Sequence, residues 1–254
     1  MAPGSLYLIP NTLDFGTPAE SSPIDEVLPT SVLVTAARLT HWVAENAKTT
    51  RAFLKRVGLV TPLLRPLQEL SIVELPRPRK GGAAQDPAPA ALDPLLAPAH
   101  QGHDLGLISE AGLPGVADPG AALVQAAHRS GVRVVALAGP SSLVLALAAS
   151  GLNGQSFAFV GYLPVDSGSR AARIRDLESL SRRHGQTQLM IETPYRNEAL
   201  LNALLGQLQP ATRLSVSCGL TLPDGHTRTD TVQGWRARPQ TLPGNLPVVF
   251  AFLA

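Results

Sequence analysis

The chain has 254 residues, 44% hydrophobic and 16% charged, which is enough apolar material for one large or two modest α/β domains and the reverse of the balance that keeps a chain disordered. The formal net charge is +2, and the nearest things to Lys/Arg clusters are Arg77-Pro78-Arg79-Lys80, Arg170 to Arg175 and Arg182-Arg183. This permits contact with phosphate without arguing for a nucleic-acid protein, and each cluster also reads as a solvated surface patch.

The elements follow in chain order. Leu6 to Ile9 is a buried-strand candidate closed by Pro10, and Ile24 to Leu39 is helical in part, broken near Pro29. His41 to Glu45 is a short strand. Ala47 to Val57 carries Phe53, Leu54 and Val57 on one helix face, with Gly58 placed to end it. Ser71 to Leu75 is a strand. Arg77 to Pro98, rich in Pro, Ala and Gly, is a loop that passes into a short helix. Asp104 to Ile108 is a strand, Gly120 to Ser130 a helix, and Val132 to Leu137 a strand.

A second series starts at Pro140. Pro140 to Ser150 is a helix with Pro at its start and Gly151 at its end. Phe157 to Val160 is a strand. Ser169 to His184 is an amphipathic helix with Ile174, Leu177 and Leu180 on its apolar side. Gln188 to Ile191 is a strand, Pro194 to Leu208 a helix, and three strands follow near Leu214–Cys218, Thr227–Val232 and Pro247–Leu253. Strands separated by helices predict a mostly parallel sheet, whereas strands run together without helices predict a mixed one. The fold expected is therefore α/β with two domains, the first over 1–137 and the second, with the mixed sheet, over 138–254, meeting near Ala138-Gly139.

Signals for phosphate and dinucleotide loops, zinc proteases and nucleophile elbows are absent. Cys218 is alone, so neither an internal disulfide nor a Cys-based metal site is expected, and its strand-like surroundings predict an inert buried thiol. His100-x-x-His103 is the strongest spacing among six histidines and too few ligands for a metal site, so none is expected. No apolar run approaches the ~18 residues of a membrane span. No basic region followed by a long apolar run opens the chain, so the expectation is a cytoplasmic protein without membrane contact.

Chemistry concentrates after predicted strands. Ser109 to Gly120 reads S-E-A-G-L-P-G-V-A-D-P-G: three glycines, two prolines and two carboxylates beyond the C-terminal end of a strand, where ligands bind in open α/β sheets. Asp118 there could contact a ligand or simply cap the next helix, with Pro119 at its first position. Ala138 to Leu143, A-G-P-S-S-L, repeats the strand–glycine–helix pattern. Ser141 and Ser142 could cap that helix or hold a carboxylate or ribose at its N-terminus. In Ile191 to Asn197, Glu192 and Arg196 could form a structural ion pair or present a base and a cation to a substrate.

Taken together, these segments resemble the tetrapyrrole methylase superfamily, and most of all its branch of 16S rRNA cytidine 2′-O-methyltransferases. That branch carries a motif like S-D-A-G-x-P-x-x-S-D-P-G, then P-G-P before a small-residue helix, F-x-G-F-L-P and Y-E-S-x-H-R. The corresponding stretches here are Ser109 to Gly120, Gly139 to Leu143, Phe159 to Pro164 and Ile191 to Arg196; Gly4 to Pro10 matches the family's opening G-x-L-Y-L-x-P. The resemblance implies two α/β domains with S-adenosyl-L-methionine in the cleft between them, usually in a homodimer. It places Glu110, Ala111, Gly112, Val116, Ala117 and Asp118 on one side of the cofactor, and Ser141, Ser142 and Tyr162 on the other.

The substrate side departs from the family. After Pro10 the chain reads Asn11-Thr12-Leu13-Asp14 where the branch has T-P-I-G-N-L. Ala44 to Thr50 stands for A-E-D-T-R-x-T, and Cys218 to Leu222 has lost the charges of R-E-L-T-K. The activity expected is methyl transfer to RNA, at a ribose 2′-hydroxyl. The alternatives are a small-molecule acceptor such as a tetrapyrrole, and a cofactor-binding module without catalysis. For a hydroxyl acceptor, Glu192 is the expected general base, with Arg196 orienting it or binding phosphate, and Glu45, Glu110 and Lys48 as rivals.

Overall fold

A computed structural model describes residues 3–14, 22–76 and 89–254. The basic run at 77–80 and the first half of the expected loop after it lie outside these residues. The chain divides into two compact units, residues 1–140 and 141–254.

The first unit contains β1 (Ser5–Ile9), α1 (Ile24–Val27), α2 (Thr30–Arg38), β2 (His41–Ala44), α3 (Ala47–Val60), β3 (Ser71–Glu74), α4 (Ala97–His100), β4 (Leu105–Ile108), α5 (Ala121–Arg129) and β5 (Arg133–Ala136). Its strands pair in parallel throughout, in the order β3-β2-β4-β1-β5. Central strand β4 is buried along its whole length, as a parallel sheet covered on both faces requires. One core, with Trp42, Leu33, Leu54 and Ile9, lies under α2 and α3; another, with Leu6, Leu92, Leu96, Leu107 and Leu123, lies under α5 and the 3₁₀ segment Pro89–Leu96. Each such fully buried side chain contributes about 1.5–3 kcal/mol. Trp42 and Gly106 are register partners, and a Cβ on Gly106 would come within 2.7 Å of the indole ring.

The second unit contains α6 (Ser142–Ser150), β6 (Phe157–Phe159), α7 (Ser167–His184), β7 (Thr187–Glu192), α8 (Asn197–Gln207), β8 (Arg213–Cys218), β9 (His226–Thr231), α9 (Val232–Ala237) and β10 (Val248–Leu253). The sheet order is β6-β7-β10-β8-β9; β6 and β7 are parallel and the other pairs antiparallel, so the sheet is mixed as expected.

Several expectations are corrected. Helix α3 passes through Gly58 to Val60, and Thr61 closes it by donating its N–H to Val57 O at 2.8 Å. Helix α6 begins at Ser142, so Pro140 precedes it by two residues. A 3₁₀ turn, Pro194–Arg196, precedes α8, which starts at Asn197. The last strands are not free of helices, because α9 lies between β9 and β10 and inserts the buried Trp235, whose indole N–H donates to Leu214 O at 2.8 Å. Leu180 of α7 is exposed, and its expected place is taken by Glu178 and Ser181. The polarity of those two is used: Glu178 Oε1 accepts from Gln209 N and from Thr212 Oγ1, and Ser181 Oγ accepts from Ala254 N.

Candidate functional site

In the first unit the candidate site is the segment after β4. Its backbone is fastened from two neighbouring strand ends. Asn11, two residues beyond β1, donates its backbone N–H to Gly112 O at 2.8 Å, and its side-chain Nδ2 donates to Glu110 O at 2.9 Å and Ser109 O at 3.2 Å. Glu45, one residue beyond β2, accepts the Glu110 N–H at 3.0 Å through Oε2, and its own N–H bonds Ile108 O at 3.1 Å. Gly112 has φ +65°, a left-handed conformation that glycine adopts without Cβ strain. Ala117 adopts φ +63° despite its Cβ, a strained backbone in the middle of the motif.

Of the two readings open for Asp118, ligand contact or helix cap, the cap is not realised. Helix α5 starts at Ala121, and its N-cap is Gly120 at φ +134°, a conformation closed to Asp. Asp118 is instead half-buried near Glu45 and Glu110. Burial first, and then those two charges, push its carboxyl pKa up to about 7. The Glu45 carboxyl is raised as well, mainly by burial. Ser109 Oγ is buried without a hydrogen-bond partner among the described residues. Val116 and Ala117 are exposed, while Glu110 and Ala111 are partly buried. Lys48 is exposed in the first turn of α3.

This segment suits S-adenosyl-L-methionine in its chemistry. Small residues at 111, 112 and 117 leave backbone groups approachable, and the carboxyl groups of Glu110 and Asp118, with Glu45 beside them, would offset a sulfonium cation. Ser109 adds a hydroxyl with unused hydrogen-bonding capacity.

Below this segment a polar chain continues inward. Thr12 N–H donates to Asn11 Oδ1 at 2.9 Å, and Thr12 Oγ1 donates to Asp14 Oδ1 at 2.7 Å. Arg56 of α3 completes it, 3.0 Å from Asp14 Oδ2 and donating to Thr12 Oγ1 and Ser22 O, both at 3.1 Å. Sequence reasoning treated residues 11–14 only as a departure and missed this network. The signal was present in three hydrogen-bonding side chains among four residues, Asn11, Thr12 and Asp14 with Leu13 between, after a strand-ending proline.

In the second unit, Ser141 is the N-cap residue of α6, but its side chain makes no capping hydrogen bond. Ser142 opens the helix; both serines are partly buried. Tyr162 is exposed and follows Gly161, whose carbonyl accepts Ile191 N–H at 3.2 Å. Glu192 ends β7 with its side chain 2% exposed: Oε2 lies 2.8 Å from the Arg196 guanidinium, and Oε1 accepts Thr193 N–H at 2.9 Å. This is the ion-pair arrangement, with both carboxylate oxygens of Glu192 engaged. Cys218 is buried as expected, and burial raises its thiol pKa to about 11, which disfavours the reactive thiolate. His103 stacks on His41 with ring centroids 5.0 Å apart.

Comparison with known proteins follows the same lines. The family model described as Tetrapyrrole (Corrin/Porphyrin) Methylases matches residues 33–234. The chain is 37% identical over 139 residues to ribosomal RNA small subunit methyltransferase I of Mesorhizobium japonicum, covering 55% of this chain and 46% of that protein. It is 30% identical over 204 residues to the protein of that name from Streptococcus pyogenes, covering 80% of this chain and 60% of that one. The chain thus spans about half the length of these relatives. Among solved structures, a uroporphyrin-III-C-methyltransferase from Thermus thermophilus aligns over 98% of this chain and 92% of its own, with a TM-score of 0.52 at 19% identity. The methyltransferase CobJ aligns over 98% and 93%, with a TM-score of 0.54 at 16% identity. At that identity the likeness is one of fold.

Proposed function

The chain belongs to the tetrapyrrole methylase family, and we infer from this that it is an S-adenosyl-L-methionine-dependent methyltransferase whose acceptor is RNA, with a ribose 2′-hydroxyl as the methylated group. The observation that carries the cofactor reading is the fastened, small-residue segment Ser109–Gly120 with its raised carboxyl at Asp118. The names of the relatives, methyltransferases of small-subunit ribosomal RNA, support the acceptor. A cytoplasmic homodimer goes with that reading. Among the described residues, no helix is long and apolar enough to cross a membrane.

The residues proposed to hold the cofactor are Glu110, Ala111, Gly112, Val116, Ala117 and Asp118 of the first unit, with Ser141, Ser142 and Tyr162 of the second. S-adenosyl-L-methionine, when bound, supplies an electrophilic methyl group on a sulfonium. The protein has to orient the acceptor oxygen and keep water away. The carboxylates at 45, 110 and 118 favour a positive ligand there. Arg196, held by Glu192, is proposed to meet acceptor phosphate, with Glu192 acting on it as a positioning residue.

Calorimetry with S-adenosyl-L-methionine, then a labelled-methyl assay on RNA from a deletion strain and from wild type, tests the reading. Binding plus label entering only the deletion-strain RNA is expected. No binding overturns the cofactor reading; binding with label entering small metabolites but not RNA overturns the acceptor.

A further inference from the structure

We propose that Asn11 is a positioning residue that sets the geometry of the Ser109–Gly112 segment for cofactor binding, and that the buried chain Arg56–Asp14–Thr12 sets Asn11. This rests on the reading that the segment contacts S-adenosyl-L-methionine. Asn11 is 6% exposed, and three of its polar groups are committed. The backbone N–H meets Gly112 O, Nδ2 meets the carbonyls of Ser109 and Glu110, and Oδ1 receives Thr12 N–H.

The direction of the amide follows from these partners. Two carbonyls call for a donor on one side and a backbone N–H calls for an acceptor on the other, so only one orientation of the amide satisfies all three. Thr12 cannot drift away, because its hydroxyl is tied to Asp14 and Arg56. Asp14, 5% exposed, is paired with Arg56 at 3.0 Å. The guanidinium of α3 thus reaches the segment after β4 through consecutive hydrogen bonds. The segment's carbonyls at 109, 110 and 112 are drawn toward Asn11, while the Glu110 N–H is drawn toward Glu45. With the backbone held on both sides, little ordering remains to be done when a ligand meets it, and affinity gains by that amount.

Asn11→Asp is nearly isosteric and tests this most sharply, since it turns both Nδ2 donors into an acceptor facing two carbonyls. Asn11→Ala removes the side chain without repulsion and serves where Asn11→Asp does not fold. Val132→Ala, which opens a small cavity in the core under α5 elsewhere in the first unit, is the stability control. Binding of S-adenosyl-L-methionine is measured by calorimetry, and hydrogen exchange is followed at the Glu110 amide in the free protein.

The expected result is at least a tenfold loss of affinity and at least tenfold faster exchange at Glu110 in the Asn11 variants. Val132→Ala should lower the melting temperature with affinity within twofold of wild type. Unchanged affinity and exchange in Asn11→Ala overturns the proposal, as does an equal affinity loss in Val132→Ala at equal destabilisation. Wild type that fails to bind S-adenosyl-L-methionine overturns the cofactor reading instead. The exchange arm still decides whether Asn11 fastens the segment.

Discussion

Gly139 lies against Pro10 so closely that a Cβ on Gly139 would stand 2.5 Å from Pro10 Cγ and closer still to Pro10 Cβ. Pro10 ends β1, and Gly139 stands three residues beyond β5, so the neighbouring strands β1 and β5 run on into touching turns. Gly139 is required for this approach, since no Cβ fits. Gly139→Ala is expected to lose about 1–3 kcal/mol by overpacking, read as a lower midpoint in urea. Pro10→Gly removes both clashing atoms, so the double variant should lose less than the two single losses added. Strict additivity would show that the contact is not the cause.

Asp118 gives a pH dependence with a definite sign. Its carboxyl is raised from 3.8 to about 7 by burial and by Glu45 and Glu110. The folded protein therefore holds this proton more tightly than the unfolded chain, and the associated stability, fully present below pH 3.8, is lost as pH rises through about 7. Asp118→Asn has no such proton to lose, so its stability relative to wild type should grow from pH 4 upward and level off above about 7. Denaturation midpoints of both proteins between pH 4 and 8 measure this, and parallel curves would show that the carboxyl is not raised.

The same group links pH to the cofactor. A sulfonium cation near Asp118 favours its ionised form, so binding S-adenosyl-L-methionine at pH 6 should release a proton. Calorimetry in two buffers of different ionisation enthalpy would show that release as a difference in observed heat. The difference should vanish in Asp118→Asn. Equal heats for wild type in both buffers would place the cation away from Asp118.

Patterns that depend on local periodicity were readable from the sequence. The parallel sheet, the mixed sheet and the break at Pro29 follow from strand–helix alternation and proline chemistry. What depends on distant partners was not. Ser181 and Glu178 look like solvated positions until the C-terminal Ala254 and the turn at Gln209 are brought to them. Helix α9 is too short for a periodic signal and is fixed by Trp235 reaching Leu214. At the candidate site, the glycine-rich motif stood out at once, but the hydrogen bonds of Asn11 span nearly 100 residues and leave no local mark. Asp118 invited a capping reading because Asp-Pro often opens a helix; here Gly120 stands at the cap, two residues later.

Ala117 carries backbone strain at the middle of the motif, with φ +63°. A β-branched side chain tolerates this conformation least, so Ala117→Val is expected to cost about 1–2 kcal/mol. Ala117→Gly should relieve the strain and gain less than about 1 kcal/mol, because glycine also raises the entropy of the unfolded chain. Thermal melts order the three proteins as Gly, Ala, Val from most to least stable. A valine variant as stable as wild type would show that residue 117 does not hold this conformation in solution.

The pair Glu192–Arg196 separates an orienting role from a proton-accepting one. Glu192 is buried, with Oε1 bound by Thr193 N–H and Oε2 at 2.8 Å from the guanidinium. In Glu192→Gln the amide can still accept from Thr193, but its N–H groups then face a cation, and Arg196, 24% exposed, is left with water for compensation. A loss of about 2–3 kcal/mol is expected, at or below the lower end for breaking a buried pair because the arginine is partly wet. If Glu192 holds Arg196 toward acceptor phosphate, methyl transfer should weaken through the acceptor's KM, with kcat reduced less and the shape of the pH profile kept. Arg196→Ala should raise the same KM by a similar factor, since both changes remove the oriented guanidinium. A general base behaves differently: its removal lowers kcat by about 10²–10⁴ and abolishes the acidic limb of the profile. Measuring kcat and KM across pH for wild type, Glu192→Gln and Arg196→Ala decides between them, and loss of the acidic limb in Glu192→Gln alone would assign the proton to Glu192.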